Sequence, residues 1–189
     1  MVADLLTGIV AATRERLGAA ACSVALLEGE ELVFRAAAGA GAAEVIGVRL
    51  PLGRGIAGWA VASGQAIAVA DVNVDRRFDR ETAASTGYLP TTILAVPVED
   101  DDGPRGVLEV LDRQPEPTEM EIAAAAAAQV YRVLELDRRQ AEAAALLSDP
   151  ALSELVHLVR EVAVEESDRA LAAALLAAVR DQRRTGRRP

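Results

Sequence analysis

Chemistry in this chain would have to come from few side chains. Asp71, Asp75, Arg76 and Arg77 share one polar loop, which follows a brief apolar run, Ala66 to Ala70, and ends at Phe78. A guanidinium makes planar, bidentate contacts with anions, so Arg76 and Arg77 are suited to an anionic group, with solvated loop residues as the alternative. The run Glu99-Asp100-Asp101-Asp102 brings a divalent cation to mind. Turn carboxylates without further converging ligands are read instead as a solvated tip. Cys22 is the single cysteine, which permits no disulfide within the chain and no cysteine-based metal cluster. It lies in an apolar run without a basic neighbour in sequence, so an inert thiol is expected. His157, the single histidine, is read as a helix-surface residue. No nucleophile stands beside a base, and neither a metal constellation nor a phosphate loop is found. The chain is therefore expected not to be an enzyme and to carry no cofactor and no metal.

The elements that must position these groups follow from periodicity. Val2 to Leu17 places Leu5, Leu6, Ile9, Val10 and Leu17 at helical spacing, and Gly18 stops that helix. Cys22 to Leu27 and Glu30 to Ala38 read as a strand hairpin, and Gly39 to Val45 as a small-residue connector with a single helical turn. Gly53, Gly55 and Gly58 then lead into a short apolar helix carrying Ile56, Trp59, Ala60 and Ala62, ended by Ser63-Gly64 with a left-handed cap. The apolar run Ala66 to Ala70 and its polar loop come next. Helix, strand end and loop brought this close together can wall a pocket. Asp79 caps a short helix stopped by Gly87, and Thr92 to Val98 with Gly106 to Leu111 form a second hairpin. From Pro117 the pattern is helical as far as Asp149-Pro150, with Thr118 and Glu121 as a capping box. Met120, Ala123, Ala124, Ala127, Val130, Tyr131 and Leu134 line its apolar side. Asp149-Pro150 starts a further helix, which continues past Ser167-Asp168 towards an Arg-rich tail.

Composition narrows the function classes. Hydrophobic residues make up 51% of the chain but aromatic ones only 3%, so Ala, Val, Leu and Ile must fill the core, with Phe34, Trp59, Phe78, Tyr88 and Tyr131 as the few large pieces. A net charge of -9 argues against nucleic-acid and anionic-membrane binding, which need a positive footprint. No apolar stretch reaches membrane-spanning length, and no leader is recognised at the N-terminus. One cysteine suits a reducing cytoplasm.

The two linked stretches Gly55-Ile56-Ala57-Gly58-Trp59-Ala60, followed by Asp71-Val72 and Asp75 to Phe78, and Ile93 to Val98, followed by Gly106-Val107-Leu108-Glu109-Val110-Leu111, resemble GAF domains. These are sensory modules of bacterial and eukaryotic signalling proteins. The resemblance spans about Val2 to Leu147. It implies an α+β fold, a central antiparallel sheet with the terminal helices on one face and pocket helices and loops on the other. Residues 1–147 would form that domain and 148–189 a helical extension with an Arg-rich, disordered tail. Sheets covered on both faces carry nearly continuous apolar strands, as these are. Departures from specialised members count against several functions. Cys22 and His157 do not match the pocket Cys and His of bilin-binding members, and no His serves as a haem ligand within the domain. The cyclic-nucleotide signature Asn-Lys-Phe-Asp-Glu is missing, and one cysteine cannot run the disulfide exchange of the sulfoxide reductases.

The resemblance implies a non-enzymatic sensor that binds a small molecule and signals through its helices to a partner. The alternative is a dimerisation or interaction module without a ligand. The contacts it implies for a ligand are Trp59, Asp71, Arg76, Arg77, Phe78, Tyr88, Thr91 and Thr92, which flank the strand resembling the pocket wall. A homodimer is expected through the first helix, the helix from Met120 and the extension after Pro150, because that extension carries apolar positions with no sheet left to cover. Folding back on its own domain is the alternative. Arg183, Arg184, Arg187 and Arg188 are read as a frayed tail.

Overall fold

The computed structural model describes residues 1–100, 103–114 and 116–147. Six strands form one antiparallel sheet: β1 (Ala21–Glu28), β2 (Glu31–Gly39), β3 (Arg49–Pro51), β4 (Ile67–Val69), β5 (Ile93–Asp100) and β6 (Gly103–Leu111), in the spatial order β3-β2-β1-β6-β5-β4. Five helices join them: α1 (Val2–Leu17), α2 (Ala42–Val45), α3 (Gly55–Ser63), α4 (Arg80–Ser85) and α5 (Pro117–Leu147). Contacts divide the chain into two units, Met1–Asp137 and Arg138–Pro189. In the second, the last turns of α5 are described, with Arg138 and Glu142 paired one turn apart. The expected helix start at Asp149-Pro150, His157, the extension and the tail lie outside the described residues, as do Asp101 and Asp102 of the acidic tip.

Alternation along the strands builds two cores. On one face Cys22, Val24, Leu94, Leu108 and Val110 meet Leu6, Val10 and Leu17 of α1 and Ala123, Ala127 and Val130 of α5. On the other, Ala25, Phe34, Ile93, Ala95 and Val107 meet Ile56, Ala57, Ala60 and Val61 of α3. Each fully buried Leu or Val contributes roughly 1.5–3 kcal/mol relative to an exposed one, so the two cores dominate stability. A bulge opposite Val24 and Ala25 leaves Arg35 unpaired in the ladder and inverts β2: Phe34 joins the α3 face, whereas Ala36 joins the helix face. Pro97 sits in β5 beyond the last residue paired with β4, on an edge where no donor is required.

Helix ends follow their local chemistry. Gly18 and Gly64 take left-handed conformations at the ends of α1 and α3, and Asp79 caps α4 through the Thr82 amide. Gly58 is required by packing. A Cβ there would stand 2.9 Å from the Gly53 nitrogen and 3.0 Å from the Pro51 carbonyl, because α3 presses directly on the chain entering it.

Three expectations are corrected. Thr118 does not cap α5, which begins at Pro117; a proline in the first turn lacks a donor where none is used, and Met120 donates to the Glu116 carbonyl instead. Ala124 is exposed on α5, and Ala126 takes its place on the buried face. Trp59 is 47% exposed, not a core residue. Small residues on α3 bring that helix so close to the chain beneath it that its buried face holds nothing larger than Ile56 and Val61, and Trp59 and Ala62 turn outward.

Candidate functional site

A cavity of about 100 Å³ opens on the α3 face of the sheet. Its floor is the middle of the sheet, where Ser23 on β1 and Glu109 on β6 project between Phe34, Ile93 and Leu111. The start of α3, the inner side of α4 and the loop Ala40-Gly41 form the walls, with Phe78 and Tyr88 as aromatic pieces. The lining is mainly apolar, as expected of a small-molecule site with a few polar groups for orientation.

Register explains the hollow. Ser23 lies opposite Ala37 on β2 and opposite Glu109 on β6, and Glu109 lies opposite Ala95 on β5. A row of small side chains thus runs across the sheet on both sides of one carboxyl group. Glu109 is only 8% exposed and makes no hydrogen bond or ion pair among the described residues, and its carboxyl oxygens open on the cavity instead of being sealed in the core. Burial alone pushes its pKa up to about 7, since water no longer stabilises the carboxylate.

Two further polar groups are already engaged. Asp79 accepts the Thr82 hydroxyl at 2.6 Å and the Arg54 guanidinium at 2.7 Å. Burial would raise its pKa, but the hydrogen bonds from Thr82 and Arg54 outweigh it and hold the carboxyl below the usual range. Tyr88 donates its hydroxyl to Asp112, and its pKa is pushed up to about 12, first by burial and then by the Asp112 carboxylate. Asp112, at a positive φ of 55°, also accepts the Thr91 amide at 2.6 Å and the Thr92 amide at 3.1 Å. It ties the end of β6 to the entry of β5.

Of the residues named from sequence, Phe78 and Tyr88 line the cavity. Thr91 and Thr92 lie beside it, held by Asp112, and the Thr92 hydroxyl donates to the Arg113 carbonyl. Asp71 is exposed and accepts the Asn73 amide; Arg76 is exposed; Arg77 pairs with Asp75 at 2.6 Å. These three and Trp59 are not brought together with the cavity lining. Ser23, Asp79 and Glu109 were not anticipated. The signal for Glu109 was a lone acid inside Val107-Leu108-Glu109-Val110-Leu111, a strand expected to be buried on both faces.

A six-stranded antiparallel sheet with two terminal helices on one face and a walled cavity on the other is matched at the sequence level by the GAF domain profile, which covers residues 2–134. The chain belongs to the GAF domain family. Among solved structures, this GAF domain is similar to one from a phosphoenolpyruvate-protein phosphotransferase of Coxiella burnetii, with a TM-score of 0.68 at 20% identity, covering 75% of this chain and 86% of the other. It is also similar to the free methionine-R-sulfoxide reductase of Neisseria meningitidis in complex with its substrate, with a TM-score of 0.63 at 23% identity, covering 74% and 81%. The GAF-B domain of DevS from Mycobacterium smegmatis has a TM-score of 0.60 at 22% identity, covering 75% and 98%. Identities this low speak to the fold. A curated relative is the dual 3',5'-cyclic-AMP and -GMP phosphodiesterase 11A of Takifugu rubripes, 36% identical over 56 residues. That match takes in 30% of this chain and spans 6% of the relative's length.

Proposed function

We propose that this GAF domain is a non-enzymatic sensor or regulatory protein that binds a small molecule in the cavity between the sheet, α3 and α4. The observation that carries this reading is the hollow itself. Ser23 and Ala37, small side chains in the lining, leave the middle of the sheet underfilled, whereas protein interiors otherwise pack to the density of organic crystals. The cavity walls are short elements, α4 foremost, whose position a ligand can bias. The non-enzymatic part rests on the lack of an activated nucleophile among the described residues. Cys22 belongs to the helix-face core, and burial followed by the Glu109 charge pushes its thiol up to about 12. Signalling is proposed to leave through α1 and α5, the second of which carries Leu136 at 53% exposure, and to involve a second copy of the chain.

A thermal-shift screen against a metabolite library tests the reading. A specific ligand at a hundred times its Kd stabilises by about 2.7 kcal/mol. The expected result is a shift for the wild type that is lost in Ala37→Phe, which fills the cavity floor; a library without any hit favours the ligand-free interaction module. Light scattering on the full chain and on a chain ending near Ser148 tests the dimer. A monomer at micromolar concentration in both rejects it.

A further inference from the structure

We propose that Glu109 is the recognition group of the cavity and that it selects a small organic ammonium, a protonated amine on a compact apolar body. The proposal rests on the cavity being a small-molecule site and adds the chemical class of its ligand. Buried carboxyl groups in native proteins are paired or hydrogen-bonded, since an unpaired one loses its hydration without compensation. Glu109 is 8% exposed and has no partner among the described residues, and what access its carboxyl oxygens keep is to the cavity. Ala95 has no polar group to offer, and the Ser23 hydroxyl, which also makes no hydrogen bond among the described residues, leaves space beside the carboxyl. Glu109 therefore faces the cavity as an acceptor awaiting a donor.

The remaining lining decides the sign of that donor. Among the described residues it contains two carboxyl groups, Glu109 and Asp79, and no Arg or His. Asp79 is neutralised by Arg54, which approaches it from outside the lining, so Glu109 is the uncompensated charge. The arginines that would favour an anion are elsewhere: Arg77 is committed to Asp75 and Arg76 faces solvent. An anionic ligand would meet like charge in an apolar enclosure, whereas an ammonium would form a charge-assisted hydrogen bond there. The apolar side chains Phe34, Ile56, Ile93 and Leu111 would cover the rest of such a ligand.

Three probes of equal size and different charge distinguish the outcomes: cyclohexylmethylamine, cyclohexylmethanol and cyclohexanecarboxylate, each titrated at pH 8 into the full-length 15N-labelled protein while backbone amide shifts are followed. The expected result is saturable binding of the amine that moves the Ser23 and Val110 amides, with the alcohol and the carboxylate at least tenfold weaker. Glu109→Gln should erase the preference for the amine, bringing its affinity at least tenfold down to that of the alcohol. Ser23→Leu, which fills the space beside the carboxyl while leaving it in place, should weaken all three. Equal or tighter binding of the alcohol or carboxylate overturns the selection of an ammonium and leaves the cavity reading intact. An amine bound equally well by Glu109→Gln does the same. If none of the three moves any amide at saturation, both this proposal and the cavity reading fall.

Discussion

The two faces of the sheet share the same strands yet are packed to different ends. On the helix face Leu108 and Val110 are fully buried against α1 and α5, and the one buried polar side chain of α1, Thr13, donates its hydroxyl to the Ile9 carbonyl of its own helix. One residue along the same strand, on the α3 face, Glu109 lines a hollow beside its ladder partner Ser23. Strand alternation alone puts neighbours on opposite faces, so β6 serves a closely packed core and a mainly apolar cavity at once. Around β6, close packing and open space are separated by side of the sheet and not by region of chain.

The comparison breaks first at its dry side. Leu108→Ala should cost about 2–5 kcal/mol in denaturant unfolding, since the tightly covered face cannot collapse into the gap. A loss below about 1 kcal/mol would mean that the helix face is no better filled than the other. Glu109→Gln sharpens the contrast from the opposite side. The folded pKa of Glu109 lies near 7, above its ordinary 4.5, so the folded state prefers the protonated form. Stability from this group is therefore greatest below pH 4.5 and is lost as pH rises towards 7. Relative to the variant, the wild type should lose on the order of 3 kcal/mol between pH 4 and pH 8. A pH-independent difference would show that Glu109 is solvated or paired.

A smaller effect is expected where the cavity wall is anchored. Asp79→Ala removes the cap of α4 and the partner of Arg54, at a cost of about 1 kcal/mol in thermal or denaturant unfolding. Because the Asp79 pKa is depressed, this contribution is present near neutral pH and disappears as the carboxyl is protonated in acid. The smallest response belongs to Cys22. Its thiol, raised to about 12, should label far more slowly with a thiol reagent in the native protein than after unfolding. Rapid native labelling would place it outside the dry core.

Local chemistry made most of the framework legible. Gly18, Gly64 and Asp79 end or start helices by conformational freedom or hydrogen bonding within a few residues, and each does so in the structure. Trp59 was misjudged because residue type implies burial only on average, whereas the small residues around it brought α3 too close for a large inward side chain. The cavity was half legible for a similar reason. Phe78 and Tyr88 belong to the polar and aromatic stretch that drew notice, but Glu109 and Ser23 are separated along the chain and become neighbours through pairing of β1 with β6.

By itself the sequence determined the family, the order of helices and strands, and an apolar strand pattern that demands cover on both faces. These properties depend on spacing within a few residues and on motif order, which the linear chain carries. Tertiary structure alone decided which side chains share the cavity floor. The register that sets Glu109 against Ser23 and Ala95, and the bulge at Arg35 that turns Phe34 towards the cavity, arise from pairing between distant segments. A shift of one residue in that pairing would send every side chain to the opposite face, so the site exists only once the sheet has closed.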